Sequence, residues 1–313
     1  MVLGLKFSAF RLLLVGALIA AGHYLFQLSN YAAEHMQGIE VLSQREPTPG
    51  TTWLLVGNDE RGQGGVYDPS TVVRPDSILL LHQHVNGQTS LISIPRFSQV
   101  EHPRIGQFRL FNAFSFGGPH ILVETIEELT GLTIDRYVET GFAGLYGVVD
   151  VLGGLELCLD YDVDDEKSFL QWEAGCHLTD GRTAIAFARM RYSDPENDIG
   201  RDNRHRQIIS ALTARLAHQD FITDPQQHRA IISSALSALT LDDQMRPAHF
   251  AQLALAFRSA TGPNGFTGAP PIADIIELPV GALVRLDAEA GNQFWEALRN
   301  GTLNPHNYHA NPR

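Results

Sequence analysis

Runs of apolar residues along the chain predict strands that alternate with helices. The run TTWLLVG at residues 51–57 is typical of a buried strand. Two further apolar runs, Ser77–Val85 and Gln88–Pro95, flank the pair Asn86 and Gly87, which is a strong signal for a β-hairpin. Because helical patterns follow and alternate with strands, the sequence predicts an α/β fold built in layers.

Helical periodicity recurs through the rest of the chain. The segment RYVETGFAGLYGVVDVLGG, residues 136–154, predicts a strand, a helix and a glycine turn, and LELCL at 155–159 predicts a further strand. A strand is also predicted at IIELPV, residues 275–280. The other predicted helices cover Ile121–Thr130, Gly181–Ala188, Asn203–His218, Gln227–Leu239, Pro247–Ser259 and Ala290–Leu298.

An apolar stretch near the N-terminus predicts a membrane anchor. Leu12–Leu28 contains no formally charged residue, and Lys6 and Arg11 precede it. Positive charge on this side favours an uncleaved anchor, with the rest of the chain outside the cytoplasm. A buried amphipathic helix and a cleaved signal peptide are the alternatives. The expected layout is a cytoplasmic segment at 1–11, a transmembrane helix at 12–33 and a linker at 34–50.

Composition narrows the classes of function. The 313 residues are 44% hydrophobic and 19% charged, which is typical of a globular chain with a sizeable core. The net charge of −12 argues against a nucleic-acid partner, because phosphate contacts require a basic face. The two cysteines, Cys158 and Cys176, are too few for a four-cysteine zinc site but allow one disulfide.

Arginines and aspartates follow several of the predicted buried segments. Guanidinium groups bind phosphate oxygens in pairs, and carboxylates among them indicate a hard cation such as Mg²⁺ or Mn²⁺ that bridges them to the phosphates. From the residues alone, surface salt bridges are an equally good interpretation. The residues are Asp59, Arg61, Arg74, Asp76, Arg96, Arg189, Arg191 and Arg201.

Six motifs between residues 53 and 216 resemble, in order and spacing, the LytR-CpsA-Psr family of cell-wall glycopolymer transferases. They are GNDER, RPDSILL, SIPR, FNAF, DRYVETGFAGLYGVVDVLGGLEL and RMRYSD followed by DIGRDNRHRQ. The paired cysteines resemble the actinobacterial branch of the family. The resemblance implies a layered α-β-α fold with a central mixed sheet and an N-terminal transmembrane helix. It also implies a catalytic domain at 51–218 and a C-terminal helical extension at 219–313 packed on the same domain.

The resemblance implies a phosphotransferase of the cell membrane, with one span and an extracytoplasmic catalytic domain. Such an enzyme transfers a phosphorylated glycopolymer from a polyprenyl pyrophosphate lipid to a peptidoglycan hydroxyl and depends on Mg²⁺ or Mn²⁺. A polyprenyl-pyrophosphate phosphatase and a non-enzymatic lipid-binding or regulatory membrane protein are the alternatives. The resemblance assigns metal binding to Asp59 and Asp76, catalysis to Arg74, Arg96, Arg189, Arg191 and Arg201, and substrate binding to Arg61, Arg204 and His205.

Three positions depart from the family pattern. Phe97 stands where the family usually has an aspartate, His205 replaces a glutamine, and Leu110 replaces a lysine, with Arg109 beside it. Loss of the carboxylate at Phe97 affects either acceptor activation or a contact further from the reaction. The family's lipid tunnel is expected to be lined by some of Phe111, Phe114, Phe116 and Leu145, although a role in the core is the more common one for such residues.

The general base is unassigned, and motif order offers His82, His84 and Asp194 as candidates. His82 and His84 lie two residues apart on a predicted strand, but the absence of a third ligand in the pattern argues against zinc. We expect Cys158 and Cys176 to form a disulfide, because the predicted compartment is oxidising. Two buried, unpaired cysteines are the alternative.

Overall fold

The computed structural model describes residues 20–58, 75–190, 193–194, 204, 207–208, 210–212, 214–215, 224–279 and 282–303, with only the backbone of 142–145. In chain order, its strands are β1 (Gly38–Ile39), β2 (Thr51–Asn58), β3 (Pro75–Gln83), β4 (Thr89–Ser93), β5 (Gln99–His102), β6 (Gly106–Arg109), β7 (Arg136–Thr140), β8 (Leu155–Leu159), β9 (Val163–Asp165), β10 (Leu170–Trp172), β11 (Gly175–Thr179), β12 (Leu239–Asp242), β13 (Phe266–Gly268), β14 (Ile272–Ile276) and β15 (Leu283–Leu286).

The helices form the second set of elements. They are α1 (residues 20–35), α2 (Ala113–Thr130), α3 (Phe142–Val151), α4 (Gly181–Arg189), α5 (Pro225–Ser237), α6 (Pro247–Ala260) and α7 (Ala288–Arg299). A short 3-10 helix covers Leu110–Asn112, and the described residues between 204 and 215 are helical. Helix α2 ends where Gly131 adopts a left-handed conformation with φ of 68°, which favours glycine.

A seven-stranded mixed sheet forms the centre of the fold, in the order β1-β12-β7-β2-β3-β4-β13. The hairpin predicted around Asn86 and Gly87 is confirmed, because β3 pairs antiparallel with β4. Strand β2 pairs antiparallel with β3 and parallel with β7. The fold class predicted from the sequence, α/β with a central mixed sheet, is therefore confirmed.

Alternation along the central strands divides their side chains between the two faces of the sheet. Leu54, Ile78 and Ile92 pack on one face with residues of α2 and α7, which we call the α2/α7 face. Trp53 and Leu81 belong to a separate cluster that includes residues of α6. Apolar burial on both faces, by helices on either side, gives the layered arrangement.

A third hydrophobic cluster joins α3 and α4 to the small hairpins around β8–β10, and Leu157 and Phe187 are fully buried in it. Helix α4 begins at Gly181, and a side chain there would lie 2.4 Å from the backbone oxygen of Tyr146 in α3. The close approach of these two helices therefore requires glycine at this position. Asp180 caps α4 by accepting a hydrogen bond from the backbone of Thr183.

The structure extends the central sheet beyond the predicted catalytic segment. The region 219–313, predicted as a helical extension, also supplies β12 and β13 to that sheet. The predicted helix Gln227–Leu239 was too long, because Leu239 begins β12 and pairs with Thr140 of β7. The strand predicted at 275–280 was displaced, since β14 occupies Ile272–Ile276. The domain boundaries themselves stay predictions.

The predicted linker at 34–50 contributes to the folded core. It contains β1, which pairs in parallel with β12, and Val41 is fully buried. Within the described residues, no helix combines the length and the apolar character needed to cross a bilayer. The predicted span at 12–33 begins outside those residues, which include only its part from residue 20 onward.

Cys158 and Cys176 form a disulfide between directly paired residues of β8 and β11. The side-chain amide of Gln207 bridges the same strand, since its oxygen accepts a hydrogen bond from the Cys158 backbone nitrogen at 2.8 Å and its nitrogen donates to the Cys158 oxygen at 3.1 Å. The disulfide hairpin is thus tied to the helical segment that contains Arg204.

Replacement of both cysteines by serine is expected to lower the free energy of unfolding by about 3 kcal/mol, because the disulfide restricts the unfolded chain. The two cysteines are separated by 18 positions, which sets this magnitude. Urea denaturation of the two proteins measures the difference, and reduction of the wild type should reproduce it. Equal stability of the oxidised, reduced and serine forms would contradict the prediction.

Acid destabilisation is expected to depend on His82, which is buried with 1% of its surface exposed. Burial, together with the nearby charge of His84, lowers the pKa of His82 to about 4. The unfolded chain takes up the proton near pH 6.5, whereas the folded chain resists it down to about pH 4. The contribution is complete above pH 6.5 and is lost as the pH falls toward 4, by about 3 kcal/mol in all.

The measurement is the free energy of unfolding from pH 7 to pH 4 for the wild type and the His82→Asn variant. The variant should show a shallower decline, although it starts from a lower stability because it loses packing. A His177→Asn variant serves as the control, because His177 is exposed. A decline of equal slope in the wild type and the His82→Asn variant would show that His82 is not responsible.

Candidate functional site

Polar side chains collect at one edge of the central sheet, where several strands begin or end. Strand β2 ends at Asn58, and its antiparallel neighbour β3 begins at Pro75, directly before Asp76. Glu139 is the next-to-last residue of β7, and β7 runs parallel to β2. Asn58 and Glu139 belong to the α2/α7 face of the sheet by alternation with Val56 and Tyr137. A β-bulge interrupts the pairing of β2 with β3 next to Asp76.

Asp76 and Arg96 form an ion pair at this edge. Arg96 comes shortly after the end of β4, and its side chain is 37% exposed, while that of Asp76 is 44% exposed. The predicted grouping of charged residues from different loops is therefore observed for these two. Their partial exposure leaves a carboxylate and a guanidinium accessible from solvent at the same point of the sheet.

Glu139 is a buried carboxylate at the same edge and was not among the residues selected from the sequence. It accepts hydrogen bonds from the side-chain amide of Asn58 and from the Tyr137 hydroxyl, the latter at 2.5 Å. Burial and the neighbouring Glu139 charge raise the pKa of Tyr137 far above its ordinary value, so the phenol stays a donor. The sequence did contain a signal for Glu139. It is a charged residue at a position of β7 where alternation predicts a buried side chain.

Arg189 and Arg204 lie beside the hydrophobic cluster formed by α3, α4 and the hairpins around β8–β10. Arg189 is the last residue of α4. Arg204 is buried, and its guanidinium donates to the backbone oxygens of Phe187 and Met190 and to the carboxylate of Asp194. These donors hold the C-terminal end of α4, beside Arg189, and the role of Arg204 in substrate binding stays a prediction.

The structure describes all three candidates for the general base. Asp194 is buried and paired with Arg204. His82 lies six residues beyond Asp76 on β3, which places it about 20 Å away along the strand. Its Nδ1 is hydrogen-bonded to the hydroxyl of Thr52, and His84 follows it toward the hairpin turn. His82 and His84 are therefore not placed to take a proton at the edge that carries Asp76.

The aromatic residues considered for a lipid tunnel have different surroundings. Phe111 is half-buried and contacts Phe97. Phe114 packs against the core of the α2/α7 face, and Phe116 is half-exposed with its ring 5.1 Å from that of Phe108. The predicted residues that lie outside the described part of the chain are Asp59, Arg61, Arg74, Arg191, Arg201, His205 and the side chain of Leu145.

The donors at the edge suit a hard cation. Mg²⁺ is usually held by one or two carboxylates together with substrate phosphates, and the accessible Asp76 carboxylate offers such a ligand. Among the described residues, the one cluster of three potential metal ligands is Glu156, Cys158 and Cys176. The two sulfur atoms of that cluster are joined in the disulfide and provide no thiolate.

Several known proteins are similar to this chain in sequence or in fold. The chain is 35% identical over 263 residues to the probable cell wall biosynthesis protein LcpB of Corynebacterium glutamicum. The aligned region covers 80% of this chain and 62% of LcpB. It is 32% identical over 206 residues to the polyisoprenyl-teichoic acid--peptidoglycan teichoic acid transferase TagU of Bacillus cereus, covering 65% of this chain and 64% of TagU. The chain thus spans less than two thirds of the length of these relatives.

A LytR-Csp2A-Psr enzyme from Actinomyces oris has the same fold, with a TM-score of 0.52 and 20% identity over 87% of this chain and 96% of that chain. The sequence model of the LytR_cpsA_psr family matches residues 25–260. The protein belongs to the LytR_cpsA_psr family, as its motifs predict.

Proposed function

We propose that this protein transfers a phosphorylated glycopolymer from a polyprenyl pyrophosphate lipid to a hydroxyl group of peptidoglycan. The observation that carries the proposal is its 32% identity to TagU, whose name describes transfer of a polyisoprenyl-linked polymer to peptidoglycan. The accessible Asp76 and Arg96 pair at the sheet edge supports the same chemistry, because phosphoryl transfer depends on positioning and on neutralisation of charge.

In the proposed reaction, an acceptor hydroxyl oxygen attacks the phosphorus that carries the glycan. The bond from this phosphorus to the bridging oxygen breaks, polyprenyl phosphate leaves, and the hydroxyl proton passes to solvent or to a base. Arg96 would stabilise the negative charge on the leaving phosphate, and Arg189 would contribute a second guanidinium. Mg²⁺ or Mn²⁺, held by Asp76 and Asp59, would supply further neutralisation of the pyrophosphate oxygens.

The proposed location is the outer face of the cell membrane, with one anchor at 12–33. The charge distribution around Leu12–Leu28 supports this orientation. A reporter fused after Arg313 should be active only outside the cytoplasm. A reporter active only inside would contradict the proposed compartment.

The deciding experiment incubates the purified protein with a lipid-linked glycopolymer, peptidoglycan fragments and Mg²⁺. A transferase produces polyprenyl phosphate and a phosphodiester-linked glycan on peptidoglycan in equal amounts. A phosphatase that acts on the same donor transfers the phosphorylated glycan to water, which gives polyprenyl phosphate and free glycan phosphate with no glycan on peptidoglycan. A lipid-binding regulator leaves the donor unchanged. Either of these two outcomes would contradict the proposal.

A further inference from the structure

A pair of aromatic rings connects the candidate site to a second arginine. The ring centroids of Phe97 and Phe111 are 5.4 Å apart, with an edge-to-face angle of 76°. The guanidinium carbon of Arg96 lies 4.7 Å from the Phe97 centroid, and that of Arg109 lies 5.3 Å from the Phe111 centroid. These four side chains form a continuous series, which we call the arginine-aromatic stack.

Backbone hydrogen bonds hold the two segments of the stack together. The backbone nitrogen of Phe111 donates to the backbone oxygen of Arg96, and the backbone nitrogen of Leu110 donates to the backbone oxygen of Ser98, both at 2.9 Å. The backbone nitrogen of Val284 in β15 donates to the backbone oxygen of Phe97 at 3.0 Å. The rings are therefore brought together by the paired main chain, and the C-terminal part of the chain supports them.

Stacking on a ring determines where a guanidinium directs its donors. A guanidinium that lies over an aromatic face has its N–H groups along the edges of its plane, where they bind the oxygens of a phosphate in pairs. Arg96 lies over Phe97 and pairs with Asp76. Arg109 lies over Phe111 as a second cation and also donates to the backbone oxygen of Ala282 at 3.5 Å. The two rings are half-buried.

This order of groups suits a ligand in which an anionic head adjoins an apolar chain. Inorganic phosphate would use the guanidinium groups alone, whereas a phosphate esterified to a hydrocarbon chain would also bury surface against Phe97 and Phe111. A carboxylate at position 97 would place negative charge next to such a head group. Phe97 instead presents an apolar ring at this position, in contact with Phe111.

We propose that Arg109 is a further substrate-binding residue and that Phe97 and Phe111 orient both arginines toward the head group of a lipid-linked pyrophosphate. The assignment rests on the proposed function, because it concerns the donor lipid of that reaction. In this arrangement Arg109 binds the anionic head, and the first hydrocarbon units lie against the two rings.

Titration calorimetry on the full chain in detergent tests the assignment, with geranylgeranyl pyrophosphate and inorganic pyrophosphate as probes and Mg²⁺ present. The wild type should bind the lipid probe more tightly than inorganic pyrophosphate. Arg109→Gln should weaken binding of both probes about tenfold or more, as expected for loss of a charge-assisted hydrogen bond. Phe97→Asp should also weaken both, although it installs the usual family residue.

Conservative variants separate binding from folding. Phe97→Tyr should retain affinity, because the ring remains, while Arg109→Lys should lose most of it, because lysine has no planar pair of donors. The matched control is Arg285→Gln, which removes an exposed arginine that pairs with Asp274 on β14. Its affinity for both probes should equal that of the wild type, and thermal unfolding identifies any variant that is simply unstable.

The outcomes distinguish this assignment from the proposed function. If the wild type binds the lipid probe and both Arg109 variants bind it equally well, the assignment is wrong and the proposed function stands. Equal affinity of the wild type and a stable Phe97→Asp variant would likewise overturn the role of the rings. If the wild type binds neither probe, the proposed function is contradicted, and the assignment falls with it.

Discussion

The Asp76→Ala variant is expected to lose Mg²⁺-dependent glycopolymer transfer by at least about a thousandfold, because a bound metal ion contributes several kcal/mol of charge stabilisation. Removal of this carboxylate leaves the pyrophosphate charge without one of its proposed ligands and also releases Arg96 from its ion pair. Initial rates of polyprenyl phosphate release at saturating donor, over a range of Mg²⁺ concentrations, measure the loss.

The matched control for this prediction is Asp274→Ala. Asp274 is also an exposed aspartate paired with an arginine, but it lies on the β14–β15 hairpin. Its removal should leave the rate close to that of the wild type. Both variants should leave the free energy of unfolding close to that of the wild type, because exposed ion pairs contribute little. Near-normal transfer by Asp76→Ala would show that the Asp76 and Arg96 pair is a surface salt bridge.

The Arg204→Met variant is expected to lose about 3 to 5 kcal/mol of stability, the cost of leaving one member of a buried ion pair without its partner. The side chains of Arg204 and Asp194 are only 3% and 1% exposed. The variant leaves the Asp194 charge buried and also removes the donors that satisfy the oxygens of Phe187 and Met190. Urea denaturation measures the difference.

Replacement of both partners separates the charge from the other contacts. The Arg204→Met and Asp194→Leu double variant removes both charges and should recover part of the loss, because an apolar pair costs less to bury than a lone carboxylate. Since the same guanidinium holds the end of α4, the single variant should also impair transfer through Arg189. A loss below 1 kcal/mol in Arg204→Met would contradict the structural role assigned to this arginine.

Local sequence pattern predicted the central elements because each carried its own signal. The Asn86 and Gly87 turn fixed the β3–β4 hairpin, and Gly131 marked the end of α2. In contrast, Leu239, the first residue of β12, was predicted as the end of a helix, and the rest of the strand was missed. Its strand conformation depends on pairing with β7, about 100 residues away. The short strands β9 to β11 have three to five residues each, too few for a periodic signal, and were also missed.

The pairing of Asp76 with Arg96 agrees with the grouping of charged residues that the motifs predicted, although Asp76 lies at the start of β3 and not after a strand. Arg204 shows the limit of this reasoning, since the motif that contains it does not reveal that its guanidinium is buried against Phe187 and Met190. Glu139 was missed because its role depends on the neighbouring strand, where Asn58 is its hydrogen-bond donor. Contacts between elements distant in sequence therefore determined which polar residues are accessible.

The most direct test of the account is a crystal structure of the protein with Mn²⁺ and geranylgeranyl pyrophosphate, recorded at the manganese absorption edge. The account predicts an anomalous peak within coordination distance of the Asp76 carboxylate, at about 2.0 to 2.3 Å, with pyrophosphate oxygens bound to the same ion and to Arg96. A manganese peak or a pyrophosphate group at another surface, with Asp76 and Arg96 still paired to each other, would contradict it.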